Sequence, residues 1–165
     1  MSTVITGLFP DEASAAAAIV ALEISGVPEA DLSLIASDKF NKDSFAIQAK
    51  SKLAEGTAIG ATAGGAIGAL TAGLTAVGAI ATGGAGLLVA GPLIAALAGA
   101  GAGAAGGSLI GGAVGLAIPE NEIKHYEDAM EKGAVLVGVN CEDSDRADRV
   151  KEILKECGAE KISHA

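Results

Sequence analysis

AVLVGVNCEDSDRADRVKEILKECGAEKISHA, residues Ala134–Ala165, is the stretch on which the fold turns. Val135, Val137, Val139 and Cys141 alternate along its first part, the period of a half-buried β-strand. The period then changes. In SDRADRVKEILKECG, Ala147, Val150, Ile153, Leu154 and Cys157 fall on one helical face, with Ser144 as the expected N-cap and Gly158 as the terminating glycine. EKISHA reads as a short last strand.

The N-terminal residues 1–37 follow the same plan. TVITGLF is β-branched and stops at Pro10. DEASAAAAIVALEISG is a helix with Asp11 as its N-cap and Gly26 at its end. DLSLIAS then places Leu32, Leu34 and Ala36 on one strand face. LEISGVPEADLSLI and LKECGAEKISHA share one order: helix, glycine, polar link, strand. Two such halves predict an α+β, ferredoxin-like head, an antiparallel sheet of four strands with two helices on one face. Neither half covers its apolar sheet face alone. PENEIKHYEDAMEKG adds a connecting helix, with Pro119 in its first turn, Gly133 past its end, and Ile123, Tyr126 and Met130 as its apolar stripe.

The halves are separated by a polar linker, residues 38–55, and by residues 56–118, in which no side chain is charged. The second half of the head, with its connecting helix, then occupies 119–165. Within the uncharged run small residues recur at spacing four: Gly56, Gly60, Gly64, Gly68, Ala72 and Ala76, then Gly91, Ala95, Gly99, Gly103, Gly107, Gly111 and Gly115. On a helix this spacing keeps a face without side-chain bulk, along which two backbones pack closely. In water each interior glycine costs a helix about 1 kcal/mol relative to alanine. Such a run therefore suits surroundings that force its backbone hydrogen bonds to close internally.

The expectation is a Gly/Ala-rich helical hairpin. Its arms would be near Thr57–Ala81 and Leu93–Ala117, with TGGAGLLVAGP (Thr82–Pro92) as the breaker. Gly60, Gly64, Gly68, Gly99, Gly103, Gly107, Gly111 and Gly115 are its candidate self-association residues. Insertion into a lipid bilayer is the first reading, since about 20 apolar residues suffice for a crossing. Two features count against it: few Leu, Ile or Val in the first arm, and no aromatic belt. They favour the alternative, hairpins that bury one another in a soluble homo-oligomer such as a ring or filament. Lys50, Lys52 and Lys124 flank the run, so on the first reading both flanks stay cytoplasmic.

Composition narrows the function further. A net charge of −9 argues against nucleic acid, whose phosphates need clustered Lys and Arg. Glycine is abundant, 24 residues, while aromatics are 2 % and tryptophan is absent, so apolar character rests on Ala, Val, Ile and Leu. Cys141 and Cys157 form no CxxC and read as ordinary reduced thiols. The first residues, MSTVITGLFPDEAS, have no basic region and no apolar run of signal-peptide length. A cytoplasmic head associated with the inner membrane is the expected location.

Motifs for catalysis are thin. GAGAAG at Gly101–Gly106 fits GxGxxG, with Glu120 or Glu122 near the distance of a ribose-binding acid, but in so glycine-rich a run a chance match is expected. No GK[ST] follows any glycine loop. Glu122 and His125 form a helical i, i+3 pair without a third ligand, so His125 reads as a surface histidine. Tyr126 reads as core. No nucleophile, base and orienter assemble, so the chain is expected to be non-enzymatic, with no cofactor, no metal and no identified small-molecule substrate. A ligand-sensing head, using the sheet face opposite the helices, is a third and weaker reading.

GLFPDEASAAAAI, EGTAIGATAGGAIGAL and AGPLIAALAGAGAGAAGGSLIGGAVGLAIPENEIKHYEDAMEKGAVLVGV together resemble a family of small bacterial general stress proteins, heat-induced ones included. The block GLAIPENEIKHYEDAMEKGAVLV is the most specific part. The resemblance spans nearly the whole chain and implies a stress-associated, non-enzymatic protein with a glycine-zipper insert. It carries no catalytic residues. AIATGGAGLLVAGP departs from the family, where a more proline-punctuated loop is expected.

Overall fold

The computed structural model describes residues 3–37, 80–82, 85–90 and 120–164. Strand β1 (Thr3–Phe9) leads into helix α1 (Glu12–Ile24), a 3-10 turn (Glu29–Asp31) and β2 (Leu32–Ser37). After β3 (Ile80–Thr82) and β4 (Ala85–Ala90) come α2 (Glu120–Glu131), β5 (Val135–Cys141), α3 (Ser144–Glu156) and β6 (Lys161–His164). The described strands form one sheet, in the order β3-β4-β2-β5-β1-β6, and every pairing is antiparallel. The molecule is α+β, with four of these strands, β6-β1-β5-β2, supplied by the two halves of the head.

Local chemistry explains the elements. Alanine, the best helix former, dominates α1 and keeps its sheet-facing side slim, so Ala15, Ala16 and Ala18 are buried with Ile19 and Leu22. Asp11 caps it, accepting from Ser14 N–H at 2.9 Å, and Gly26 ends it at φ +91°. Ala147, Val150 and Leu154 make the buried stripe of α3, with Ile153 and Cys157 packed half-buried beside them. Gly158, at φ +90°, turns the chain toward β6. The cap of α3 differs from expectation. Asp143, not Ser144, takes the N-cap position and accepts from Arg146 N–H at 2.7 Å.

Helices α1 and α3 pack on one face, over Ile5, Phe9, Leu32, Leu34, Ala36, Val135, Val137, Val139 and Cys141. Helix α3 and the residue after it pack directly over Gly7, where an added Cβ would sit 3.3 Å from Leu154 Cδ1 and 3.4 Å from the Cβ of Ala159. The halves also meet through Arg146 and Asp31, 3.4 Å apart and partly exposed.

Two expectations need correction. Helices were expected on one face only and β5 as half-buried, yet the opposite face is buried too. Leu8, Ile35 and Leu136 have 0, 1 and 0 % exposure, and α2 contributes buried Tyr126 and Met130 on that side. The connecting helix thus packs on the second face. Its apolar stripe is confirmed at Tyr126 and Met130; the side chain of Ile123 lies outside the described residues. Residues 56–118 were expected as helical arms near Thr57–Ala81 and Leu93–Ala117 around a breaker at Thr82–Pro92; β4 lies within that breaker, and only Ile80 and Ala81 of β3 fall in an expected arm. Within 56–118, Ile80–Thr82 and Ala85–Ala90 are strands, and β4 pairs with β2 from Leu34↔Ala90 to Ser37↔Leu87. The run Ala85–Ala90, AGLLVA, is a short apolar run of strand length within what was read only as a breaker. The two predicted helical arms lie otherwise outside the described residues.

Candidate functional site

Small polar residues cross the second face of the sheet in one row. Ser163 of β6 is registered with Thr6 of β1, Thr6 with Gly138 of β5, and Gly138 with Ser33 of β2. Thr6 and Ser33 are fully or almost fully buried, at 0 and 1 % exposure. Alternation puts these residues on the side away from α1 and α3. Helix α2 meets the row at its β6 end. The Tyr126 hydroxyl shares a hydrogen bond with Ser163 Oγ at 3.1 Å, and Lys161 Nζ stands 5.8 Å from the centre of the Tyr126 ring. Tyr126 itself has no exposed surface. One atom of the row stands out: Thr6 Oγ1 is buried without a hydrogen-bond partner.

This row was missed in the sequence, where no polar cluster seemed to mark that face. Its signal lay in register. Thr6, Ser33 and Ser163 are far apart along the chain, and only strand pairing aligns them. Chemically the row offers hydroxyls, which donate and accept hydrogen bonds but do not ionise near neutral pH. No carboxylate or imidazole sits in it to activate one. Its one member bonded to α2 is Ser163, which ties that helix to β6 through Tyr126.

The remaining candidates are dispersed. His125 is exposed, its ring edge-on to Tyr126 with centroids 6.4 Å apart, and His164 is exposed at the end of β6. Among the described residues no group of His, Cys, Asp and Glu is placed to hold a metal ion. Cys141 is buried and Cys157 half-buried, and both are free thiols. Burial pushes both above the ordinary value of 9.0; at Cys157 the neighbouring Glu156 adds to the rise, while at Cys141 the Arg146 charge partly offsets it. Low-pKa thiolates are the reactive ones, so these thiols are suited to packing. A cleft of about 150 Å³ lies between Ser25–Val27 and the start of α3, lined also by Asp143, Arg146 and Arg149. Arg146 is engaged by Asp31 there, and the Asp143 carboxylate opposes an anion.

The candidate self-association residues Gly60, Gly64, Gly68, Gly99, Gly103, Gly107, Gly111 and Gly115 lie outside the described residues, as does the GxGxxG at Gly101–Gly106. Among the described residues no helix is long and apolar enough to cross a membrane. No family model, no curated protein and no solved structure matches this chain.

Proposed function

We propose that this is a non-enzymatic, stress-associated structural protein. An acidic, ferredoxin-like head stands in the cytoplasm, and the glycine-zipper insert enters the inner membrane and self-associates. The observation that carries this reading is the charge-free run Gly56–Ile118 with small residues at spacing four. The strand order β6-β1-β5-β2, with α1 and α3 together on one face, supports the ferredoxin-like description of the head. Among the described residues Ile24 is the one large apolar side chain that is exposed, so the head offers little apolar surface for association and leaves it to the insert. Carbonate extraction and sedimentation of native membranes test the reading. The protein should stay in the pellet, and complete recovery as a soluble monomer would sink it.

A second reading is favoured by one specific observation, the joining of β3 and β4 to the head's sheet. A run whose middle is held by protein suits a soluble assembly in which inserts bury one another. An exposed apolar surface of that size would exceed the few hundred Å² a monomer tolerates, so this reading requires a large particle. Gel filtration without detergent separates the two: a large lipid-free particle favours assembly, and recovery only with lipid favours the membrane.

A further inference from the structure

Ser163 of β6 and Thr6 of β1 are a registered pair on the second face of the sheet. Side chains directly opposite each other on neighbouring strands have Cβ atoms about 5 Å apart, within reach of a hydroxyl–hydroxyl hydrogen bond. That bond is not made. Ser163 Oγ is engaged by the Tyr126 hydroxyl of α2, 3.1 Å away, and Thr6 Oγ1 is left buried without a partner. A buried, unmet hydroxyl is unfavourable, so docking of α2 makes one hydrogen bond in place of another.

The C-terminal end of α2 joins β5 through Lys132 and Gly133, both exposed, with Gly133 at φ +102°. An added Cβ on Gly133 would meet nothing within 4 Å, so this joint stands clear of neighbouring atoms. Tyr126 lies seven residues before Gly133, about 10 Å along the helix axis. It is fully buried, and Lys161 Nζ stands 5.8 Å from its ring centre. The helix therefore has a free joint at one end and a latched side chain in its middle. In sequence α2 follows the charge-free run 56–118 with only Pro119 between, so displacement of that run acts first on this helix.

We infer that Ser163 is the switch of a two-position latch, its hydroxyl bonded to Tyr126 while α2 is docked and to Thr6 when α2 lifts about Gly133. Each position satisfies one partner of Ser163 and forgoes the other. In the docked position Thr6 is unmet. In the lifted position Ser163 and Thr6 close their cross-strand pair, and the Tyr126 hydroxyl meets water. The exchange lowers the cost of lifting α2 while β1, β5 and β6 keep their register. The latch works alike whether the run before Pro119 lies in lipid or in protein.

Amide hydrogen exchange of the full chain tests the latch, followed over α2, β5 and α3 in the unaltered protein, Thr6→Val, Ser163→Ala and the double variant. Release of α2 by itself shows as exchange in α2 that is faster than in β5. Thr6→Val removes both the unmet hydroxyl of the docked position and the partner of the lifted one. Exchange of α2 should then slow about two- to tenfold, the weight of one hydrogen bond, with β5 and α3 unchanged. In the Ser163→Ala background the same change should slow α2 far less. Equal slowing in both backgrounds would overturn the inference, because water rather than Ser163 would then satisfy Thr6 in the lifted position. Exchange of α2 only together with β5 overturns it too, since the helix would have no release of its own. So does an α2 whose exchange Thr6→Val leaves unchanged.

Discussion

Thr6 shows how one atom can separate a structural row from a binding site. Its hydroxyl is fully buried and unpartnered, and an unmet buried hydroxyl costs about 1–3 kcal/mol. Valine keeps the shape and the β-branched character that a strand favours. Thr6→Val should raise the thermal midpoint or leave it unchanged; a clear drop would mean that the hydroxyl is satisfied in solution. Tyr126→Phe has the opposite sign, since it removes the bond to Ser163 Oγ, and should cost about 0.5–1.5 kcal/mol in a urea melt. The thiols give a pH dependence. Burial holds Cys141 and Cys157 protonated beyond 9.0, so on alkalinisation the unfolded chain releases these protons first. Their contribution is complete below about pH 9 and falls above it. Urea midpoints should decline as pH rises above about 9, and less steeply in Cys157→Ser.

At the scale of the element, the ends of the helices are the most local features. Asp11 and Gly26 were legible because cap, apolar period and glycine stand at their proper intervals. At α3 two adjacent residues, Asp143 and Ser144, both qualify as caps, and sequence offered no means of ranking them. The chain uses the first. Asp143→Ala should therefore cost about 1 kcal/mol, and Ser144→Ala far less, by chemical denaturation. The reverse order would return the cap to Ser144. Strands β2 and β5 were readable from alternation, but alternation reports one face. Leu136 and Ile35 occupy the other and are buried as well, on the face where α2, a helix distant in sequence from β2, packs. The polar row Ser163–Thr6–Gly138–Ser33 was illegible for the same reason, since it exists only through register. Strands β3 and β4 fall almost wholly in the stretch read only as a breaker, Thr82–Pro92, whose pairing with β2 no local pattern announces.

For the whole molecule, the question is what the repeated glycines do, and the answer has a sign. If Gly99, Gly103, Gly107 and Gly111 form a seam of close backbone contact, Gly103→Leu or Gly107→Leu places bulk where the partner backbone lies. The seam then opens and loses its dispersion contacts along its length, so assembly should be abolished. Intrinsic propensity pulls the other way, because leucine favours an isolated helix over glycine by most of about 1 kcal/mol. Ala105 stands off the spacing-four face, and Ala105→Leu should be tolerated, or should strengthen lipid association through its larger apolar surface. The comparison holds whether the partner is another segment of the same chain or a second copy, because either meets the same seam. Native mass measurements and crosslinking of the three variants read the outcome directly. Loss of the assembled species in Gly103→Leu and Gly107→Leu, with retention in Ala105→Leu, assigns the glycines to close packing. Equal tolerance at Gly103 and Ala105 would remove that role, leaving the charge-free character of the run, rather than its spacing, as what the protein uses.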